Sequence, residues 1–360
     1  WYAHRSTTAP NMLLPRRNRG YVPGLIQIAD DSIASFKEGR NTNLLPALQL
    51  WATESVLYVM FGHRAGTNIS TPDENSLQVI QAVFDAFECE TKLTIGFPVH
   101  RYIKTPELSR FYRSLDVLSK FTFDFMAKIR HSPSSLTEGQ ESLFEKFKRE
   151  KKLTNDEINQ VAITLLAGGV DTTSTMLVST LFKLSESQKA QAKLYEEINS
   201  VLPNGHTPTY DHLNRMPYLR ATINEVFRTN PVTPATVRQL SKPIVLGGYE
   251  IPAGVTIALS PGYMSTQMKK QIFENFDNFR PERWLRGSKG FHPFASLPFG
   301  FGPRMCVGRR IAQMEISLFL VRFFQKFKLE ESSRPEDQLG WIFGVVQRPD
   351  KPVNFCLTAR

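Results

Sequence analysis

From Trp1 to about residue 230, apolar positions recur mostly at helical spacing. Stretches 77–87 and 108–129 each carry an apolar stripe that predicts an amphipathic helix. The strongest prediction is a helix from Asn155 to Leu184. Thr154 supplies a hydroxyl N-cap, and Asp156 and Glu157 set negative charge at its positive end. Asp211–Thr229 reads as a further helix, stopped at Asn230-Pro231. Beyond Pro231 the pattern changes. Pro234, Pro243, Pro252, Gly247, Gly248 and Gly254 punctuate short β-like runs, and Val245-Leu246-Gly247-Gly248-Tyr249 reads as a turn between two strands. Residues 262–304 are irregular and rich in Phe, Pro and Gly, and so long a loop marks a functional segment. Helix resumes at about Val307–Lys326, and short strands finish the chain. No repeat, low-complexity tract or linker interrupts it. The expectation is one mainly α (α+β) domain over residues 1–360, its small sheets in the C-terminal half.

Composition narrows the picture. The chain has 360 residues, 41% of them hydrophobic and 22% charged, which excludes a disordered tail and a coiled coil. Lys and Arg number 44 against 34 Asp and Glu, a formal charge of +10. Solubility accounts for that excess as well as an acidic protein, an anionic lipid or a nucleic acid does. Three cysteines exclude a disulfide scaffold and fit a reducing compartment. Apolar runs such as Val161–Leu166 and Leu318–Val321 fall far short of the ~18–20 residues of a membrane span. The chain starts at Trp1, without Met or signal peptide, and reads as a fragment whose targeting segment lies upstream.

Candidate chemistry concentrates in Phe299-Gly300-Phe301-Gly302-Pro303-Arg304-Met305-Cys306-Val307-Gly308. A cysteine directly before a helix, beside an arginine, is placed to be a thiolate. Gly300, Gly302 and Gly308 let the backbone approach something large and flat. With no second Cys or His nearby, a zinc site, which needs about four ligands, is not made. A single axial thiolate for haem iron is. The glycines do not form a nucleotide fingerprint, because Met305 stands where the third glycine belongs and no βαβ unit surrounds it. Cys89 and Cys356, without such neighbours, read as buried structural cysteines.

Two further constellations stand out. Gly168-Gly169-Val170-Asp171-Thr172-Thr173 lies mid-helix, where glycines cost about 1 kcal/mol each and call for a bulge or a ligand pressing on the backbone. An acid beside a hydroxyl in a dry helix can pass protons singly. The plainer reading is a bent Gly/Thr segment with a solvated Asp. Glu225 and Arg228 stand at i, i+3 on one helix face, a spacing that by itself gives an ordinary surface pair.

The cysteine segment resembles the haem-binding loop of the cytochrome P450 monooxygenases, Phe-x-x-Gly-x-Arg-x-Cys-x-Gly, at every fixed position. The resemblance implies Cys306 as the iron ligand, with Phe299, Arg304 and Gly308 in the haem loop. It implies that Asp171 relays protons and Thr172 holds bound oxygen. Pro281-Glu282-Arg283-Trp284 would send Arg283 to Glu225 and Arg228 as a structural lock. Trp1 and Arg5 (Trp-x-x-x-Arg), with Arg238 and Arg304, would hold the propionates. Family position places substrate against Leu165, Leu166, Gly169, Val232, Thr233, Ala235 and Ile342 or Phe343, mostly apolar, so an apolar substrate is implied.

Arg309 and Arg310, with Arg220, are similar to the basic docking residues of the mitochondrial, ferredoxin-dependent branch. Asn224 departs from the Lys usual there, and Met268-Lys269-Lys270-Gln271-Ile272 departs from the family's polar, acidic turn. The resemblance thus implies haem b, O2 as co-substrate, electrons from NADPH through a reductase and an adrenodoxin-like ferredoxin, and peripheral association on the matrix side of the inner mitochondrial membrane, with no nucleic acid. The alternatives are an endoplasmic-reticulum relative fed by a flavoprotein reductase, or a non-catalytic truncated product.

Overall fold

The computed structural model describes the chain except residues 15–17, 42, 68–71, 130–131, 133–135, 137–139, 261–271, 289 and 331–338. Met268-Lys269-Lys270-Gln271 therefore lie outside the described residues. The helices are α1 (Tyr2–Leu13), α2 (Val22–Ala34), α3 (Leu45–Phe61), α4 (Glu74–Ile95), α5 (Pro106–Ile129), α6 (Leu143–Glu150), α7 (Asn155–Glu186), α8 (Gln188–Val201), α9 (Tyr210–Asn214), α10 (Pro217–Thr229) and α11 (Arg309–Lys326). The strands are β1 (Gly39–Asn41), β2 (Thr236–Gln239), β3 (Ile244–Leu246), β4 (Tyr249–Ile251), β5 (Thr256–Leu259), β6 (Phe327–Leu329), β7 (Trp341–Ile342), β8 (Arg348–Pro349) and β9 (Phe355–Ala359).

α7 is the axis of the core. Thr154 and Glu157 form the capping box at its start, a cap worth about 1 kcal/mol. Several of its buried hydroxyls are satisfied inside the helix: Ser174 donates to Val170 O, Ser179 to Thr175 O and Thr180 to Met176 O, whereas Thr175 Oγ1 is buried without a partner among the described residues. Among the described residues α7 alone has the length and apolarity of a membrane span, with mean hydropathy 1.5 over its best window, but 61% of that window is buried in the protein. The sequence shows no such run because serines and threonines interrupt it.

α3 packs along α7 and is buried on nearly every side. The helix runs regularly through both mid-helix glycines. No bulge forms, contrary to one sequence expectation. Gly169 is needed for close approach instead, since a Cβ there would sit 2.5 Å from Val56 Cγ2 of α3. α11 closes the other side of α3, where the Trp51 and Phe319 rings meet edge to face at 5.0 Å. Arg322 of α11 reaches back to Asp30 of α2 at 2.6 Å.

The Asp211–Thr229 prediction is corrected: α9 ends at Asn214 and α10 starts at Pro217. Proline disfavours helical geometry at Met216, which is extended away from it (ψ 74°), and then serves as the first residue of α10. The sheets are small and antiparallel. β9 lies between β1 and β6, β2 pairs with β5, and β7 pairs with β8. β3 and β4 form the expected hairpin around Gly247 and Gly248, both at positive φ (59° and 85°), the geometry of a tight primed turn. Cys356 is exposed on β9, between buried Phe355 and Leu357, so the reading of it as buried is corrected by strand alternation. Cys89 is fully buried and accepts a hydrogen bond from Arg110 Nε at 3.1 Å.

Candidate active site

The loop before α11 is fixed from several sides. Cys306 N–H donates to Phe299 O at 2.8 Å, Met305 N–H to Gly302 O at 3.0 Å, and Gly300 N–H to Leu297 O at 3.0 Å. The Phe299 ring packs edge-on against Phe227 of α10 at 4.9 Å and lies beneath the Arg309 guanidinium at 5.9 Å. The Cys306 thiol is exposed to a cavity of about 440 Å³ that α7, α11 and this loop line together. Burial pushes the thiol up from its usual range. The N–H groups of Gly308 and Arg309, with Arg5, pull the other way and do not win. The helix N-terminus alone is thus not enough to make the thiolate that the sequence suggested.

The same cavity takes in Leu165, Gly169, Thr172, Val232, Thr233, Arg238, Phe299, Arg304 and Gly308 of the predicted set. Leu166 is instead buried in the core, and Ile342 and Phe343 are exposed on and beside β7, outside the lining. Ala235 is likewise not part of the wall. Arg5 donates to Met305 O at 2.7 Å, so it braces the loop from behind. The Arg304 guanidinium lies over the Trp1 ring at 4.3 Å. Arg238 donates to Val237 O at 2.8 Å.

The acid and the hydroxyl of α7 face different surroundings. Thr172 lines the cavity and donates to Gly168 O at 2.7 Å. Asp171, one residue earlier, is 1% exposed and turned away, because adjacent helical residues point about 100° apart. Arg348 of β8 donates Nε and Nη2 to its Oδ2 at 2.8 and 2.6 Å, and Gln49 of α3 donates to Oδ1 at 3.3 Å.

The Glu225 lock is complete. Glu225 is wholly buried and accepts from Arg228 Nε and Nη2 at 2.9 and 2.8 Å, from Arg283 Nε at 3.0 Å, from Trp284 Nε1 at 2.9 Å and from the Arg280 N–H at 2.9 Å. Arg283 then donates its remaining groups to the carbonyls of Glu274, Asn275 and Asn278. Five N–H donors thus reach one carboxylate, Arg283 Nε touching both of its oxygens, and the irregular segment hangs from it. Burial pulls the Arg283 guanidinium down from its ordinary value, opposed by Glu225.

Arg220 and Arg310 border one small cleft between α10 and α11, together with Asn224. Arg310 is exposed, whereas Arg309 has its Nε shut from solvent without a partner among the described residues.

Sequence reasoning missed Glu315, on the cavity side of α11. It is fully buried, its Oε1 has no hydrogen-bond partner among the described residues, and burial pushes its carboxyl up to about 8. The available signal was a lone acid on the apolar stripe Ile311, Leu318 and Phe319. From the ordinary value of 4.5 up to about 8, the folded chain keeps a proton that the unfolded chain releases. This contribution to stability is therefore present in full below 4.5 and lost as pH rises toward 8, at about 1.4 kcal/mol per unit. Urea midpoints measured between about pH 5 and 8 should show that fall in the wild type and its absence in Glu315→Gln.

The residues present suit a haem. Cys306 Sγ opens into the cavity, and a Cβ added at Gly168, on the same cavity's wall, would meet nothing within 4 Å, leaving room for a large group there. Arg238 and Arg304 stand on the wall as partners for carboxylates. Among the described residues no three His, Cys, Asp or Glu side chains gather into a metal site.

Comparison with known proteins agrees. The Cytochrome P450 family model matches residues 1–357. A probable cytochrome P450 49a1 of Drosophila melanogaster is 30% identical over 100% of this chain and 64% of its own length. The mitochondrial 1,25-dihydroxyvitamin D(3) 24-hydroxylase of Mus musculus is 30% identical over 89% of this chain and 62% of its own. The chain thus spans under two thirds of the length of these relatives. The crystal structure of the cytochrome P450DA heme domain superposes with a TM-score of 0.83 at 22% identity, covering 99% of this chain and 76% of that one.

Proposed function

Because the chain belongs to the cytochrome P450 family, we propose that it is a haem-thiolate monooxygenase that puts one oxygen atom of O2 into an apolar substrate and releases the other as water. The observation that carries this reading is the Cys306 thiol, open to the cavity with the N–H groups of Gly308 and Arg309 directed at it. When bound, haem with a thiolate ligand supplies cleavage of the O–O bond. Cys306 is the ligand, and Arg238 and Arg304 hold the propionate carboxylates, with Trp1 and Arg5 supporting the loop at that end. The Thr172 hydroxyl spends its proton on Gly168 O and keeps its lone pairs free toward the cavity, so it is set to accept a hydrogen bond there. Leu165, Met176, Val232, Leu297 and Ile311 keep the wall dry, which favours an apolar substrate and excludes bulk water from proton transfer.

The electron donor in this reading is an acidic ferredoxin, reduced from NADPH by its own reductase, in the mitochondrion. Arg220 and Arg310 share an exposed cleft that suits an acidic partner, and several relatives bear the word mitochondrial in their names. Peripheral membrane association is supported by the segment between α4 and α5. There Phe97 and Tyr102 are 85% and 83% exposed, next to His100, Arg101 and Lys104.

The deciding experiment loads the chain with haem, reduces it with dithionite and adds carbon monoxide. A strongly red-shifted Soret band supports the reading. An unshifted band, or no haem uptake, overturns it.

A further inference from the structure

We propose that Arg348 is a positioning residue for Asp171, and that the β7–β8 hairpin carrying it ties the cavity wall to the proton-handling segment of α7. The inference rests on the monooxygenase reading above. The pair is enclosed: Asp171 is 1% exposed, the Arg348 side chain 13%. Both Arg348 donors reach the same carboxylate oxygen, the guanidinium lies over the Phe84 ring of α4 at 4.0 Å, and Gln49 of α3 holds the other oxygen. Among the described residues no other charged group is hydrogen-bonded to either partner. A carboxylate held this way from both oxygens is immobile, and it can turn toward Thr172 only when Arg348 lets go.

The hairpin supplies the means. Gln347, the neighbour of Arg348, donates its N–H to Val232 O at 2.7 Å, and Val232 lines the cavity. Val345 N–H is held by Thr91 Oγ1 of α4 at 2.9 Å. Arg348 also faces Ile342 across the hairpin. An occupant that presses on Val232 and Thr233 therefore acts on the backbone one residue from the ion pair. The geometry makes release of Asp171 answer to occupancy of the cavity, which suppresses proton delivery when no substrate is present.

The test uses Arg348→Gln, Arg348→Lys and the double variant Arg348→Gln/Asp171→Asn. Infrared spectra of the haem-free and haem-loaded chain at neutral pH should show, beside the protonated Glu315 band common to all variants, an additional protonated-carboxyl band in Arg348→Gln that is absent from the wild type and from the double variant. This arm does not depend on turnover, so it stands apart from failure of the monooxygenase reading, which the wild-type carbon monoxide spectrum reports. In turnover, O2 that takes up two electrons from NADPH and two protons without transferring oxygen leaves as hydrogen peroxide. Peroxide formed per NADPH should rise about fivefold in Arg348→Gln, with a changed solvent isotope effect, and return toward the wild-type value in Arg348→Lys. Should Arg348→Gln not fold, the same two readouts in Arg348→Lys decide, with an intermediate change expected. No Asp171-dependent band and an unchanged isotope effect would overturn the proposal.

Discussion

Replacing Glu225 with glutamine is expected to destabilise the chain by roughly 3–5 kcal/mol and to abolish haem uptake. The carboxylate is a counter-charge shared by two buried guanidinium groups, Arg228 and Arg283. Glutamine keeps the shape but turns an amide N–H2 toward donors and removes the negative charge from beside two buried cations. The effect spreads beyond one pair, because Arg280, Arg283 and Trp284 all attach the irregular segment to the same two oxygens. Urea unfolding followed by circular dichroism reads the stability. Haem titration of the folded fraction reads whether the Cys306 loop still holds its shape. A loss under about 1 kcal/mol with normal haem uptake would show that the cluster is not what holds the loop.

Cys306→Ala is expected to do the opposite: leave the fold and remove the chemistry. The side chain points into a cavity and fills no core position, so truncation removes little packing. Its loop remains fixed by main-chain bonds from Cys306 N to Phe299 O and from Met305 N to Gly302 O, which alanine keeps. Circular dichroism and unfolding midpoints should therefore match the wild type within about 1 kcal/mol. The red-shifted carbon monoxide band should vanish completely, since Cys89 is buried against Arg110 and Cys356 sits out on β9. Persistence of the band in the alanine variant would assign the iron to another ligand.

What could be read in the sequence was local. The cap of α7 and the Gly247-Gly248 hairpin each rest on residues within a few positions of one another, and each forms as read; the Cys306 segment does precede a helix, but its thiol is pushed up rather than down. The lock was legible only in part. The spacing of Glu225 and Arg228 gives a pair, but its burial and the arrival of Arg283 came from family resemblance. Arg348 could not be found, because it reaches Asp171 across 177 positions and neither residue lies in a pattern that points to the other. Periodicity shows which face of a helix is buried and not what it is buried against. That is why Leu166, next to a cavity residue, belongs to the core, and why the unpartnered Glu315 went unseen. The α9–α10 break failed for another reason: helical spacing continues through Met216-Pro217, and one missing N–H outweighs it.

Trp284 gives the lock an optical voice. Its indole N–H is bonded to Glu225 and its ring packs edge-on against Phe291 at 4.7 Å, while Trp51 is buried between α3 and α11 and Trp1 is largely exposed. In the haem-free chain, emission from Trp284 follows the attachment of the irregular segment, and emission from Trp51 follows the helical core. A chain carrying only one of the two as its tryptophan distinguishes a loop that has come loose from a protein that has unfolded, by colour alone.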